Sequence, residues 1–436
     1  MSEGGVSPER LAAYRVLRRV DEGAFADRAF AAEARKLELP PRERAAAMRL
    51  AFGATQRRRT LDLLIDEALD NPAALEPEVR DVLRLGAYEL VWSDRVPAPA
   101  AVDQSVRLVR GVHGVARRRQ ARAGLVNAVM RRLADGAAAR VASLEDPVLV
   151  HSMPDWIAEG LTASLGPEDA AGVMAAANEA AESALRWNPL RGPREEVLSE
   201  IPVPWHGDPL LPEAIVLEGP FGIEDSPLWA EGRAMGQSRA SMLPARALDP
   251  RPGERILDLC AAPGAKSTHL AALAGNEATI VCVELHEARA KALRALAERM
   301  GARLEVVVGD GRDVELPGGP FDAVLVDPPC TGLGVLAARP DARWRRRPEA
   351  LAELTALQSA LLARALGAVR PGGRVVYSTC TLLSAENEDV VAASGATVDP
   401  LDADLPGMAH PRLPGALLTL PHRHGTDGFF VARLRV

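Results

Sequence analysis

Aromatic residues, cysteines and long apolar runs are all scarce in this chain of 436 residues, and each shortage excludes something. Phe, Trp and Tyr together make up 4%, so a broad platform for stacking bases is not on offer. Only four cysteines occur (Cys260, Cys282, Cys330 and Cys380), widely spaced and with no CxxC pair. That argues against a disulfide scaffold and against a zinc site, so no metal is expected. No apolar run approaches the ~20 residues of a membrane span. The opening Met1-Ser-Glu-Gly-Gly-Val-Ser-Pro8 has no basic segment leading into an apolar stretch. A reduced, cytoplasmic protein without membrane contact is the expectation. Hydrophobicity is not short: 47% of residues are apolar and 25% charged, ordinary for a globular chain. At ~150 residues per domain the length fits about three folded units.

Charge is divided unevenly. Residues 1–150 carry 25 Lys and Arg against 21 Asp and Glu, and the remainder 27 against 38. An acidic protein is a poor non-specific binder of polyanions, but local arginine clusters still contact phosphates. Four such clusters occur: Arg57–Arg59, Arg117–Arg119, Arg131-Arg132 and Arg345–Arg347. Each reads equally well as a solvated helix face.

Up to about residue 135 the pattern is helical. Leu11, Val16, Leu17 and Val20 recur at three- and four-residue steps, as do Leu61, Leu64 and Ile65, then Leu125, Val126 and Val129. Asp21-Glu-Gly, Pro40-Pro41 and Arg95-Val-Pro-Ala-Pro punctuate the segment, giving a bundle of six or seven helices. From 145 to 240 the signal is mixed, with several prolines and a helix over Ala170–Ala181. Beyond 250, strands at Arg255–Leu259, Thr279–Val283, Leu304–Val308, Ala323–Val326, Arg374–Tyr377 and Gly428–Leu434 alternate with helices, notably His286–Met300 and Glu349–Val369. Alternation of this kind predicts a doubly wound α/β sheet, with ligands at the carboxyl ends of its parallel strands. The expected organisation is therefore residues 1–140 as a helical domain, 141–240 as a small α+β linker region and 241–436 as the α/β domain.

Three motifs carry chemistry. In Leu257-Asp-Leu-Cys-Ala-Ala-Pro-Gly-Ala-Lys-Ser-Thr-His269 a strand runs into a loop of small residues that opens a helix. Small residues admit a ligand close to the backbone, and free amides at the helix start meet anionic groups. A P-loop would need glycines where Cys260 and Ala265 stand, and G-x-G-x-x-G is absent. The next strand ends at Glu284, an acid placed to accept from a ribose diol, and the third ends in Gly309-Asp310, placed for an adenine amino group. A nucleoside-bearing cofactor that is not a dinucleotide points to S-adenosylmethionine. Asp327-Pro-Pro-Cys330 and Tyr377-Ser-Thr-Cys380 each follow an apolar strand, so both thiols are expected at the cofactor's rim of the sheet. Methylation at C5 of cytosine needs such chemistry: a thiolate adds to C6 to supply electrons, and a base later removes the C5 proton. Cys260 and Cys282, inside or beside buried strands, read as inert thiols.

Taken together, Asp-x-Cys-Ala-Ala-Pro-Gly, Asp-Pro-Pro-Cys-Thr-Gly, Arg339-Pro-Asp-Ala-Arg-Trp344 and Ser-Thr-Cys-Thr with Glu386-Asn-Glu388 resemble the bacterial ribosomal RNA cytosine-5 methyltransferases of the Sun/RsmB type. Leu83-Arg-Leu-Gly-Ala-Tyr-Glu-Leu90 and Leu125-Val-Asn-Ala-Val-Met-Arg-Arg132 resemble the NusB-like RNA-binding domain of that family. His151-Ser-Met-Pro-Asp-Trp156 and Asp427-Gly-Phe-Phe-Val-Ala432 are similar too, so the resemblance spans nearly the whole chain.

The resemblance implies an S-adenosylmethionine-dependent enzyme with a methyltransferase sheet ending in an antiparallel strand. It implies small-subunit ribosomal RNA as substrate, and a monomer is expected. Residues Cys260, Ala261, Ala262, Pro263, Gly264, Ala265 and Lys266 would form the cofactor loop, with Glu284 on the ribose, Asp310 at the adenine end and Asp327 near the methyl group and target base. By the same matching Cys380 is the nucleophile and Cys330 assists product release. Local chemistry leaves that order open, because DNA cytosine methyltransferases use a Pro-Cys nucleophile. Lys266 either balances charge developing on the base or ties down its own loop by an ion pair. The sequence departs from the family at Ala265 (usually Gly), Glu284 (commonly Asp) and Ala337-Ala338, where paired arginines often stand. A non-catalytic RNA-binding module and a methyltransferase for another substrate class are the rival readings; two thiols at one rim speak against both.

Overall fold

Apolar residues spaced three and four apart in the first third of the chain become the inner faces of seven helices among the described residues: Pro8–Asp21, Ala26–Lys36, Pro41–Gln56, Arg58–Glu67, Pro77–Trp92, Ala98–Gly111 and Ala116–Ala142. The computed structural model describes residues 5–93, 96–111, 116–401, 403, 405 and 407–436. The turn expected at Arg95 begins outside the described residues. Leu61, Ile65, Leu83, Leu85 and Met130 are fully buried where these helices meet. Gly86 is required there, because a Cβ would come within 2.5 Å of Ser105 Oγ and 2.6 Å of Met130 Cε. The Leu83–Leu90 stretch is thus a packing motif, reinforced by Arg84, which donates to Asp62 at 2.7 Å and to Asp81 at 2.8 Å.

Two units make up the chain. One comprises Met1–Ala163, Ala170–Ala180 and Leu336–Arg346; the other comprises Ser164–Asp169, Ala181–Val335 and Arg347–Val436. Residues 141–240, expected as one region, are shared between the two. The short segment 336–346 belongs to the helical unit although its chain neighbours on both sides belong to the second.

The second unit holds two sheets. A small antiparallel one has strands β1 (Ala184–Trp187), β2 (Trp205–Gly207), β3 (Ala214–Leu217) and β4 (Ala234–Gly236) in the order β2-β3-β1-β4. The large one contains β5 (Arg255–Asp258), β6 (Thr279–Glu284), β7 (Glu305–Val308), β8 (Phe321–Val326), β9 (Val369–Thr379), β10 (Thr397–Asp399), β11 (Leu417–Thr419) and β12 (Phe429–Arg435). Its order is β10-β12-β9-β8-β5-β6-β7, with β11 also pairing β12. Strands β5 to β9 are parallel and β12 runs antiparallel to β9. The chain winds from β5 outward to β7 and returns on the other side at β8. The switch point therefore lies between β5 and β8, where open α/β sheets bind their ligands.

Strand β9 begins five residues before the expected Arg374, at Val369. The Pro371-Gly-Gly373 stretch lies within β9, whose register against β8 is irregular between Phe321 and Ala323.

Candidate active site

Strand β5 delivers Asp258 and then the small-residue loop to the carboxyl rim. Gly264 has φ +111°, and a Cβ on it would meet Leu293 Cδ1 at 2.5 Å, so only glycine fits between loop and helix. Ala265 opens the helix Ala265–Leu273, which is why an alanine is accommodated there. Ala261 and Ala262 are buried and Cys260 is half-buried, its thiol pushed up by burial. Cys282 lies inside β6 and its thiol is likewise held protonated by burial.

Around this loop the three expected acids stand in different states. Glu284 is 4% exposed at the end of β6, accepting from the His286 amide at 3.0 Å with an Arg289 guanidinium nitrogen 3.6 Å away. Asp310 is more open and is clamped by Arg312, whose Nη2 and Nε lie at 2.6 and 2.9 Å. Those bonds hold its carboxyl down at about 2. Asp327 follows β8, accepting from Lys266 Nζ at 2.6 Å and from Ser378 Oγ at 3.0 Å. A fourth acid, Asp258, closes β5. Asp258 is buried and accepts from Ser267 Oγ at 2.7 Å, while its Oδ1 has no hydrogen-bond partner among the described residues. Burial pushes its carboxyl up to about 6. Leu285, beside Glu284, is 54% exposed, a large apolar side chain at the ligand end of the sheet. Its signal in the sequence was its position directly after a strand-ending acid.

Both thiols lie where their strands were expected to put them. Cys330 Sγ and Cys380 Sγ are 3.3 Å apart at the carboxyl ends of β8 and β9. They differ in surroundings. Cys330 is 7% exposed; its hydrogen bond with Cys380, burial, and the nearby Glu386 and Asp327 carboxylates hold it protonated well above the ordinary thiol value. Cys380 is half-buried and within electrostatic reach of the Lys266 ammonium. Burial pulls that ammonium down, but Asp327, Cys380 and Asp258 outweigh it and keep Lys266 firmly charged. Lys266 Nζ also lies 5.2 Å from the centre of the Phe429 ring. Gly428 and Gly334 meet backbone to backbone, with Gly428 N donating to Gly334 O at 2.8 Å; a Cβ on Gly334 would fall 1.9 Å from Gly428 O. The Asp427–Ala432 motif therefore pins the Cys330 loop.

Several arginines singled out in the sequence are spent inside the protein. In the helical unit Arg343 is wholly buried, donating to Gln56 O (3.1 Å), Ala177 O (2.9 Å) and Asn178 Oδ1 (3.1 Å). Trp344 Nε1 donates to Thr55 O at 2.7 Å, and Arg345 pairs with Asp341 at 2.6 Å. Arg57, Arg58 and Arg59 are held by Val150 O, Asp21 and Met153 O. Arg131 and Arg132 are both exposed, although Arg132 donates to Ala68 O. The Arg117 and Arg118 side chains lie outside the described residues. Ala337 is half-buried and Ala338 exposed.

With this geometry in view, comparison with known proteins is decisive. Residues 245–435 match the family described as 16S rRNA methyltransferase RsmB/F, and residues 7–135 match the NusB family. A probable ribosomal RNA small subunit methyltransferase B of Synechocystis is 34% identical over 98% of this chain and 99% of its own. The chain belongs to the 16S rRNA methyltransferase RsmB/F family. A Bacillus subtilis relative of the same description is 31% identical over 91% of this chain and 92% of its own. The solved structure of PH0851 superposes with a TM-score of 0.82 at 25% identity, covering 100% of both chains. The RsmB/F match contains all the site residues named above and the NusB match the leading helices. No helix among the described residues is long and apolar enough to cross a membrane, and no group of three or more His, Cys, Asp or Glu there could hold a metal.

Proposed function

We propose that this rRNA methyltransferase forms 5-methylcytosine in small-subunit ribosomal RNA, with S-adenosylmethionine as methyl donor and Cys380 as nucleophile. The observation that carries the reading is the pair of thiols 3.3 Å apart beside the Lys266–Asp327 ion pair. The residues at the rim suit the donor: Glu284 offers a nearly buried carboxylate, Asp258 an unsatisfied buried oxygen, Leu285 an exposed apolar face and Cys260–Lys266 a close backbone. Bound there, the donor supplies a methyl group on a sulfonium.

The protein's own groups do the rest. Cys380 Sγ bonds to C6 of the cytosine, and the C5–C6 electron pair moves to C5, the carbon to be methylated. Lys266 lies near enough to Cys380 to favour its thiolate, and its charge offsets charge gathering on the base. Once C5 carries the methyl group, a base takes the C5 proton, the C5–H electron pair restores the C5–C6 double bond, and the C6–S bond breaks with its pair leaving on the Cys380 thiolate. Cys330, protonated and in contact with Cys380, assists that release. The NusB domain contributes RNA contacts, drawn from arginines such as the exposed Arg131 rather than from Arg343 or Arg57–Arg59. Radiolabelled methyl transfer to unmodified small-subunit rRNA, followed by bisulfite sequencing, tests the reading. A bisulfite-resistant cytosine is expected; label on another base, or none, overturns it.

A further inference from the structure

Two adjacent residues, Glu386 and Asn387, each bracket the chain around one thiol, Glu386 with the help of Gln358. The Glu386 carboxylate is fully buried and accepts from the Thr331 amide at 2.9 Å, from the Thr331 hydroxyl and from Gln358 Nε2 at 2.9 Å. Gln358 Nε2 also donates to Pro329 O at 2.9 Å. Pro329 and Thr331 flank Cys330, so Glu386, with Gln358 as its second arm, brackets that thiol. Asn387 does the same for the other: its Nδ2 donates to Thr381 O at 3.0 Å and its Oδ1 accepts from the Thr379 hydroxyl. Thr379 and Thr381 flank Cys380. The two brackets are tied together, because the Thr381 and Thr331 hydroxyls lie 2.7 Å apart and the Thr331 hydroxyl donates onward to Glu386. The Tyr377 hydroxyl donates to Glu386 O at 2.7 Å, anchoring the pair to β9.

A solvent-exposed carboxylate would tolerate such donors at little consequence. A buried one commits them, since a carboxylate taken from water needs its lone pairs satisfied, and Glu386 is satisfied by Thr331 of the Cys330 loop and by Gln358, which also holds Pro329. We propose that Glu386 and Asn387 are positioning residues that set the distance and facing of Cys330 and Cys380, and so the handover between attack on the base and release of the product. This rests on the cytosine-5 reading above, but the spacing itself is measurable without RNA.

The test compares wild type with Glu386→Gln, which puts a donor where the Thr331 hydroxyl donates, and Asn387→Asp, which removes the donor to Thr381 O. Both are nearly isosteric. Two readouts are taken: kcat and KM for methyl transfer to unmodified small-subunit rRNA, and the rate at which diamide, a two-electron thiol oxidant, links Cys330 to Cys380, followed by peptide mass mapping. Misplacing a reacting group by about 1 Å costs about 100-fold. The expected result is a fall in kcat of about 10- to 100-fold with KM for RNA and affinity for S-adenosylmethionine within about twofold of wild type, alongside diamide linkage slowed at least several-fold. Wild-type kcat and linkage rate in both variants overturn the proposal, as does a fall in kcat with the linkage rate unchanged. Parallel losses of melting temperature, cofactor affinity and kcat also overturn it, since they mark a merely structural role. Should a glutamate variant not fold, Thr381→Val, which cuts only the hydroxyl bridge between the two brackets, carries the same expectation. A wild-type enzyme that methylates no RNA defeats the cytosine-5 reading and leaves the diamide comparison to decide the positioning role.

Discussion

Lys266 Nζ lies 2.6 Å from Asp327 Oδ2, joining the first turn of the helix after β5 to the loop after β8 across the switch point of the sheet. The pair is unequal. Lys266 keeps 13% of its side-chain exposure and Asp327 26%, and Asp327 has a second donor in Ser378 whereas the ammonium faces Asp258 and Cys380. Removing one charge is therefore not equivalent to removing the other.

Asp327→Asn should be the more damaging change. It leaves a largely buried ammonium beside a neutral amide, and breaking a buried pair in this way costs about 3–5 kcal/mol. Lys266→Met leaves a carboxylate that still has Ser378 and water, and should cost clearly less. Denaturant unfolding of the two variants at pH 7 measures the difference. Equal losses, or a greater loss for Lys266→Met, would show that the pair is solvated rather than buried.

Cofactor affinity should separate the two strand-end acids. Glu284 is almost wholly buried and binds few donors of its own, so Glu284→Ala should weaken S-adenosylmethionine binding by about 1–3 kcal/mol. Asp310 is already engaged by Arg312 and is more open to water, so Asp310→Ala should cost less. Calorimetry decides, and an unchanged affinity for Glu284→Ala removes that residue from the cofactor site.

Arg343 is expected to matter for folding and not for RNA. Its guanidinium satisfies backbone carbonyls of Gln56 and Ala177 and the Asn178 amide from within the helical unit. Arg343→Ala strands those acceptors and should cost on the order of 3 kcal/mol. Arg343→Lys should fail nearly as badly, because one ammonium cannot span partners that a planar fork reaches. Thermal unfolding tests both; a variant that melts like wild type but binds RNA poorly would return Arg343 to the RNA surface.

Acid should destabilise the second unit through His269. This imidazole is buried with Nε2 2.8 Å from Glu213 Oε1, and burial, aided by Arg186, pushes it down to about 4 in spite of Glu213. An unfolded histidine titrates near ~6.5. Between about 6.5 and about 4 the unfolded chain binds a proton that the folded one refuses, so stability falls as pH drops through that window. Unfolding free energies at pH 7 and pH 5 should differ by about 2 kcal/mol from this group, and His269→Gln should flatten the difference. A variant with the wild-type slope would assign the effect elsewhere.

How much of this was legible in the sequence follows from what kind of contact each residue makes. Strands β6 and β8 are largely apolar runs, as parallel strands buried on both faces must be, and β5 is a short apolar pair closed by Asp258, so their ends and the residues placed there could be read directly. The two thiols were legible for the same reason. Strands β1 to β4 were not: each has three or four residues, prolines crowd the connections between them, and all three residues of β2 are exposed, so no period-two pattern develops. Nor was the fate of Arg343, since an arginine that caps carbonyls inside a helical unit and one that meets phosphate look alike until the fold supplies partners. Glu386 and Asn387 were visible as a motif, but what they hold lies up to 57 residues away, at Pro329 by way of Gln358.

The two thiols should fail in different ways. Cys380 is half-buried beside the Lys266 charge, whereas Cys330 is buried and held protonated by its neighbour and the carboxylates around it. Cys380→Ala should therefore abolish turnover and any covalent RNA adduct together. Cys330→Ala removes no nucleophile: attack and methyl transfer should proceed, and release should stall, leaving a protein–RNA complex that resists denaturant. A denaturing gel of each variant incubated with S-adenosylmethionine and unmodified rRNA reads this directly. A trapped complex with Cys330→Ala and none with Cys380→Ala is the expected pattern. The reverse pattern would make Cys330 the nucleophile, the arrangement that the Pro-Cys motif alone had left open. It would also require the more buried thiol, held protonated by its surroundings, to be the one that attacks, although the Lys266 charge acts on Cys380.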